Sequence, residues 1–195
     1  MVRCATTWSS CNACPTIEGS PRSCRPARYS RVRLVLVGGS PGTGKSTLSE
    51  TLADNLEWTV LHSDEVRKDI VGMGHTTSAT ADFREGIYDQ VTTDATYAEL
   101  LKRARVALEL GESTILDASW SSARWRTAAA RVAEESASDL IELHCDAPTH
   151  VIDSRIAARR AGSGLSDATL EVAAMMRVEF DEWPTARVVD TGTSP

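Results

Sequence analysis

Residues 33–48, RLVLVGGSPGTGKSTL, join a short apolar run to a glycine-rich turn and then to the start of a segment with leucines four positions apart. The apolar run has the length and β-branched content of a buried strand, and the leucine spacing is typical of an amphipathic helix. Between them, Gly39, Gly44, Lys45 and Ser46 match the pattern G-x-x-x-x-G-K-[ST]. The stretch therefore predicts a strand, a phosphate-binding turn and a helix in direct succession.

Each residue type in this turn has a task in binding phosphate. Glycine lets the chain curl until successive backbone N–H groups point inward, and the following helix directs its positive N-terminus at the same anion. Lys45 can then reach the β- and γ-phosphates, and the Ser46 hydroxyl can ligate Mg²⁺. The alternative is a purely structural glycine turn. We expect a nucleoside triphosphate to be bound by Gly39, Ser40, Pro41, Gly42, Thr43, Gly44, Lys45, Ser46 and Thr47.

Outward from the turn, short apolar runs alternate with amphipathic segments. The predicted strands are residues 33–39, 58–64, 113–119, 140–147 and 186–191, and the predicted helices are 44–56, 96–111, 123–136 and 167–180. Continuous apolar strands are typical of a sheet covered on both faces, and alternation with helices is typical of parallel strands. The sequence predicts an α/β fold, a three-layer α/β/α P-loop NTPase with a five-stranded, mostly parallel sheet.

Length and charge limit the classes of function. The 195 residues suffice for one domain, which we place at 31–195, and the Cys-, Arg- and Ser-rich residues 1–30 are expected to be a disordered leader. That leader holds four arginines and one glutamate, a charge of +3, so the chain's net −6 leaves −9 for residues 31–195. Such an acidic body is unsuited to long nucleic acid. Since no apolar run reaches about 18 residues, we predict no membrane association and a cytoplasmic location.

The second predicted strand leads into HSDEVRKD, residues 62–69, where Asp64 would lie at the carboxyl edge of the sheet. Ligands of parallel α/β sheets bind at this edge. A carboxylate there can accept a proton from a substrate hydroxyl that attacks the γ-phosphorus, and Arg67 can hold that substrate. The competing interpretation of Asp64 is a helix N-cap. His62, within the predicted strand, is expected to be packed and hydrogen-bonded.

The third predicted strand runs through TILD, residues 114–117. Apolar residues followed by Asp form the Walker B pattern, whose carboxylate holds Mg²⁺ directly or through water. Asp117 and Ser46 are therefore the candidate metal ligands, with a simple turn residue as the alternative for Asp117. In the next helix, Arg124 is a candidate substrate contact, while Arg126 either contacts substrate or lies on a solvent-exposed face.

A further helix is predicted within APTHVIDSRIAARRAGSGLSD, residues 147–167. Arg155 and Arg159 fall within about 60° of Ile152 on its buried face. Two arginines there either extend outward to solvent or face an anion. The GSG that follows favours the second interpretation, an arginine-bearing lid that closes over the phosphates and uses both side chains in catalysis.

Together these motifs resemble those of small P-loop kinases of the polynucleotide-kinase and zeta-toxin type. The likeness is strongest to the bacterial ATP-binding kinase domain that is often fused to an aminoglycoside-phosphotransferase-like domain. It runs through LVLVGGSPGTGKSTL, SDEVRK, TYAELLKRARVALELGESTILDAS, DAPTHVIDSRIAAR, SDATLEVA and VVDT. The resemblance implies Asp64 as the base, Arg155 and Arg159 as lid arginines, a nucleotide base near Thr191, and a possible partner domain of that phosphotransferase-like kind.

We therefore predict an ATP- and Mg²⁺-dependent phosphotransferase that moves the γ-phosphate to a hydroxyl of a small molecule or of a nucleotide or nucleic-acid end. A guanine-specific switch is disfavoured because neither Asn12 nor Asn55 is followed by the lysine of Asn-Lys-x-Asp. Residues 65–97 are expected to cover the acceptor, with Gly72 and Gly74 permitting movement. The alternative from another class is a regulatory ATP-binding or ATPase module that acts through a partner protein or domain.

Overall fold

The computed structural model describes residues 31–72, 89–161 and 170–192, and the side chains of residues 159–161 and 170–173 lie outside that description. The predicted leader also lies outside it. The elements in chain order are β1 (Arg33–Gly38), α1 (Lys45–Leu56), β2 (Thr59–His62), α2 (Ser63–Val71), α3 (Gln90–Glu109), β3 (Thr114–Asp117), α4 (Ala123–Glu135), β4 (Asp139–Asp146), α5 (Thr149–Ala161), α6 (Leu170–Val178) and β5 (Arg187–Asp190). Within the described ranges, no helix is long and apolar enough to cross a bilayer.

The five strands form a single sheet in the order β2-β3-β1-β4-β5. Each pair of neighbours is parallel. β1 therefore lies at the centre, and the turn that follows it opens at the carboxyl edge between β3 and β4. The predicted α/β class and the five-stranded parallel sheet are confirmed.

Alternate residues of the central strand face two separate apolar layers. Leu34 and Leu36 belong to the layer that also contains apolar residues of α3 and α4. Val35 and Val37 belong to the layer that contains apolar residues of α1. Successive side chains of a strand point to opposite faces, so these two apolar layers lie on opposite faces of the sheet. Helices on both sides of the sheet give the three-layer α/β/α architecture.

Burial differs between the central and edge strands. Every residue of β3 is buried, and so is each residue of β1 after Arg33. β2 and β5 form the two edges and are mostly half-buried or exposed; Val188 of β5 is 63% exposed. β4 is also mostly half-buried, although it lies between β1 and β5. Burial is therefore most complete in β1 and β3.

The segment after β2 differs from its prediction. The strand ends at His62 and α2 begins at Ser63, so Asp64 lies inside the first helical turn rather than at a strand end. The N-cap position belongs to His62, which excludes the N-cap interpretation of Asp64. Acidic residues in a first turn are favoured by the positive helix N-terminus, and this turn contains Asp64 and Glu65.

The predicted acceptor cover, residues 65–97, is partly helical. Its beginning belongs to α2 and its end to α3, which starts at Gln90. Asp89 caps α3 by accepting a 2.6 Å hydrogen bond from the backbone N–H of Thr92. Residues 73–88, including Gly74, lie outside the described residues.

Arg126 ties α4 to the segment that precedes β5. The side chain is 6% exposed, which excludes the solvent-exposed interpretation. Its Nη1 donates to the carbonyl of Trp120 at 2.8 Å, and its Nη2 donates to the carbonyl of Glu182 at 2.6 Å. The guanidinium carbon also lies 5.0 Å from the ring centroid of Trp183. The role of Arg126 is therefore to satisfy buried carbonyl groups and to hold two loops together.

Candidate active site

The turn after β1 is built from glycines in the left-handed region. Gly39, Gly42 and Gly44 have φ of +143°, +85° and +85°. At Gly39, a Cβ would stand 2.7 Å from the carbonyl oxygen of Cys145 and from the Thr43 hydroxyl. At Gly42, it would stand 2.9 Å from Cγ2 of Ile152. Both positions thus exclude a side chain for reasons of backbone conformation and of space.

Substitution of Gly42 by Ala tests this close packing, with Gly111 as the matched control. Gly111 has nearly the same φ, +84°, but no described atom lies within 4 Å of its would-be Cβ. Gly111→Ala should lower the free energy of unfolding by about 1 kcal/mol, the cost of left-handed backbone alone. Gly42→Ala should lose a further ~1–3 kcal/mol from overpacking against α5. Urea denaturation of the ligand-free protein measures both, and equal losses would contradict the packing.

Hydrogen bonds connect the turn to the end of β5. Thr43 is buried, and its hydroxyl donates to the carbonyl of Ser40 at 2.8 Å. The Thr191 hydroxyl lies within hydrogen-bond reach of two carbonyls, those of Thr43 and Asp146. Thr191 therefore contacts the glycine-rich turn, and its expected place beside a nucleotide base stays a prediction.

Arg155 extends from α5 to the same place. Its Nη2 donates to the carbonyl of Thr191 at 2.7 Å, and its Nη1 is 3.5 Å from the carbonyl of Gly42. Ile152 and Ile156 of the same helix are buried and would meet a Cβ at Gly42. The guanidinium thus borders the turn, and its predicted role toward phosphate stays a prediction. Arg159 lies in α5, but its side chain is outside the described part of the chain.

Asp117 stands at the carboxyl end of β3, between the turn and β2. The side chain is buried, and its Oδ2 is 2.9 Å from Nδ1 of His62. Burial would raise the pKa of Asp117, but the hydrogen bond from His62 and the charge of Lys45, together with a smaller contribution from Ser46, hold that pKa below its ordinary value. The hydrogen bond to Asp117 in turn raises the pKa of His62 against the opposing effect of burial. An ionised carboxylate is thus held next to the lysine and serine of the turn.

This arrangement fits a bound magnesium ion. The second oxygen of Asp117, Oδ1, is buried and has no hydrogen-bond partner among the described residues. A buried oxygen of an ionised carboxylate needs a partner, and oxygen is the ligand atom that Mg²⁺ prefers. Ser46, the other predicted ligand, is near enough to Asp117 to help lower the pKa of that carboxyl group. Asp117 and Ser46 are therefore the residues that would hold the ion.

Asp64 and Arg67 occupy the first turns of α2, next to α3. The carboxylate of Asp64 is exposed, whereas Arg67 is buried and its Nη1 donates to the hydroxyl of Thr93 at 3.2 Å. Both charges act on the buried phenol of Tyr97, which lies on α3. The predicted base, Asp64, and the predicted substrate arginine, Arg67, are thus neighbours. They follow His62, which contacts Asp117, by two and five residues.

Sequence reasoning missed the polar contacts of the loop after β3. The Tyr97 and Ser119 hydroxyls are 3.0 Å apart, and the backbone N–H of Trp120 donates to Tyr97 Oη at 3.1 Å. Trp120 is fully buried and has a φ of +53°, unusual for a residue other than glycine. The carbonyl of Ser119 accepts a 3.0 Å hydrogen bond from the N–H of Gly39. This loop therefore links α3 to the start of the phosphate-binding turn.

Arg124, the other candidate substrate contact, lies at the exposed start of α4. Its guanidinium forms an ion pair with Asp94 of α3 and stands 4.9 Å from the ring centroid of Trp125. Trp125 also stacks on Tyr97 at 5.1 Å between ring centroids. Arg124 thus borders the same side of the sheet as Arg67, and a contact with substrate stays a prediction.

A family model described as "AAA domain" matches residues 34–183 of the chain. The chain belongs to this AAA domain family. The match runs from β1 to Trp183 and so includes the phosphate-binding turn, Asp64, Asp117 and Arg155. An uncharacterized protein of Mycobacterium tuberculosis (strain ATCC 25618 / H37Rv) is 38% identical to this AAA domain chain over 164 residues, or 84% of the chain and 32% of the relative. The chain thus spans about a third of the length of the curated relative.

Solved structures share the fold of this AAA domain. A protein from Chloroflexus aurantiacus superposes with a TM-score of 0.63 and 21% identity, covering 83% of this chain and 89% of that one. A sugar kinase from Janibacter sp. HTCC2649 superposes with a TM-score of 0.58 and 20% identity, covering 82% and 86%. The predicted likeness to small P-loop kinases is confirmed at the level of the fold.

Proposed function

We propose that the protein is an ATP- and Mg²⁺-dependent phosphotransferase that transfers the γ-phosphate to a hydroxyl group of a small molecule or of a nucleotide or nucleic-acid end. One observation carries this proposal. The ionised, buried Asp117 stands beside Lys45 and Ser46 at the end of a turn whose glycines have no side chains to cover the backbone. A cation, a hydroxyl and an acidic side chain at the mouth of such a turn are the groups that a Mg²⁺-bound polyphosphate requires.

In the proposed reaction the protein's own residues position the groups and move a proton. The backbone N–H groups of Gly42 and of residues 44–47 hold the phosphate oxygens, and Lys45 places its charge against the β- and γ-phosphates. Asp64 accepts the proton of the acceptor hydroxyl as the acceptor oxygen bonds to the γ-phosphorus and the bond to ADP breaks. Mg²⁺, held by Ser46 and Asp117, would neutralise charge on the β- and γ-phosphates.

The arginines around the site have two proposed roles, one toward the acceptor and one toward the phosphates. Arg67 and Arg124 border the acceptor side and are proposed to hold the acceptor. Arg155 and Arg159 are proposed to act on the phosphates from α5, and Thr191 to border the nucleotide base. The shared architecture with a sugar kinase is consistent with a hydroxyl acceptor by analogy of fold alone.

Two parts of the proposal concern the cellular location and a partner domain rather than the reaction. We place the protein in the cytoplasm, as its composition predicts. A partner domain resembling aminoglycoside phosphotransferases is also proposed, and the extra length of the curated relative is consistent with it. These proposals do not alter the residues assigned to the reaction.

Incubation with γ-labelled ATP and Mg²⁺ tests the proposed function. The acceptor panel contains sugars, aminoglycosides, nucleosides and 5′-hydroxyl oligonucleotides, each resolved from ATP by chromatography. We expect label to move onto one acceptor class and the rate of this transfer to fall by about two to four orders of magnitude with Asp64→Asn. Label recovered only as free phosphate with every acceptor would instead support the regulatory ATPase alternative.

A further inference from the structure

We propose that His62 is a positioning residue that orients the Asp117 carboxylate so that Oδ1 faces the Mg²⁺ of the bound nucleotide. This inference rests on the proposed function and adds to it a residue outside the phosphate-binding turn. The motifs assign His62 no part in the reaction.

The sheet places the two side chains together. β2 and β3 are parallel neighbours whose register pairs His62 with Asp117. Both residues end their strands, so both side chains stand at the carboxyl edge where the turn after β1 opens. The 2.9 Å contact between Nδ1 and Oδ2 therefore follows from the strand register and spans 55 residues of sequence.

The chemistry of the pair sets the direction of the hydrogen bond. An ionised carboxylate can only accept hydrogen bonds. Nδ1 of His62 therefore carries a hydrogen and donates a hydrogen bond to Oδ2. One fixed oxygen and a buried side chain fix the plane of the carboxylate. Oδ1 is then the remaining acceptor, buried and without a partner within the described ranges. Outer hydrogen bonds of this kind orient metal ligands in many sites.

A merely structural role for His62 gives a different expectation. If the hydrogen bond only satisfied a buried oxygen, its loss would lower the free energy of unfolding without a specific effect on metal. If it positions Asp117, its loss weakens metal binding in the ternary complex more than it weakens nucleotide binding. Metal affinity and metal-free nucleotide affinity therefore separate the two roles.

The experiment compares three variants of His62 by titration with Mn²⁺ in the presence of AMPPNP, with free Mn²⁺ measured by electron paramagnetic resonance. His62→Leu removes the donor, and its Mn²⁺ affinity should fall by about tenfold or more. His62→Asn offers an amide N–H near the position of Nδ1 and should restore most of the affinity. His62→Gln carries its N–H one bond further out and should behave like the leucine variant. AMPPNP affinity without metal, measured by calorimetry, should remain at the wild-type value in each.

The outcomes are distinct. Wild-type Mn²⁺ affinity in His62→Leu overturns the proposal while the proposed function stands. Circular dichroism shows whether His62→Leu is folded. If it is not, the comparison of His62→Asn with His62→Gln decides, and equal Mn²⁺ affinities of these two variants overturn the proposal. If the wild-type protein itself binds neither AMPPNP nor Mn²⁺, the proposed function fails first, and the role of His62 with it.

Discussion

The Asp64→Asn variant is expected to lose about two to four orders of magnitude in kcat, the usual range for a general base. Asn has nearly the same shape, and the Asp64 side chain is exposed in the first turn of α2, so the fold should be unaffected. Asn cannot take the proton of the acceptor hydroxyl. ATP affinity should remain at the wild-type value because Asp64 lies outside the phosphate-binding turn. Steady-state transfer assays and calorimetry measure the two quantities.

Glu65 supplies the matched control for this variant. It is the next residue, is also exposed, and also belongs to the acidic first turn of α2. Glu65→Gln removes the same charge from the same helix N-terminus and should leave kcat within about twofold, since this charge acts on the helix dipole and, as a minor contribution, on His62, but has no proposed contact with the acceptor. Full activity in Asp64→Asn, or equal losses in the two variants, would remove Asp64 from the role of base.

Lys45→Ala is expected to lower ATP affinity by about a hundredfold, the equivalent of ~3 kcal/mol for a charge-assisted interaction with phosphate. The transfer rate should fall by a further ~10²–10³, because the lysine also offsets the charge that develops on the phosphates. Lys45 opens α1 and acts on the buried Asp117. Its removal therefore also takes away a charge that holds the pKa of Asp117 low. Calorimetry with AMPPNP and single-turnover transfer measure the two losses.

Lys102 is the control for the loss of a lysine elsewhere. Its side chain is 74% exposed on α3, where it pairs with Glu99. Exposed ion pairs contribute between zero and about 1 kcal/mol to stability, so Lys102→Ala should bind ATP and transfer phosphate as the wild type does. Unchanged ATP affinity in Lys45→Ala would show that the glycine-rich turn is a structural turn.

The sequence by itself determined the glycine-rich turn after β1 and the class of the fold. The turn is local: its glycines, Lys45 and Ser46 follow one another, and their conformations depend on near neighbours. The class follows from periodicity, because buried parallel strands are continuous apolar runs and each must be joined by a helix. The sequence also singled out Asp117 at the end of the apolar run that forms β3, and its role in holding Mg²⁺ stays a prediction.

Tertiary structure alone decided which distant side chains meet at the edge of the sheet. The contact of His62 with Asp117 requires that β2 lies beside β3 in the register that pairs these two residues. No local sequence pattern predicts the order of the strands in the sheet. Tyr97 meets the loop after β3 only because α3 packs on that face, and Arg126 is buried only because the segment before β5 returns over α4. The physical reason is common to all of them: strand order and helix packing are set by the burial of whole apolar faces, so the polar partners they bring together carry no signal in their own sequence neighbourhoods.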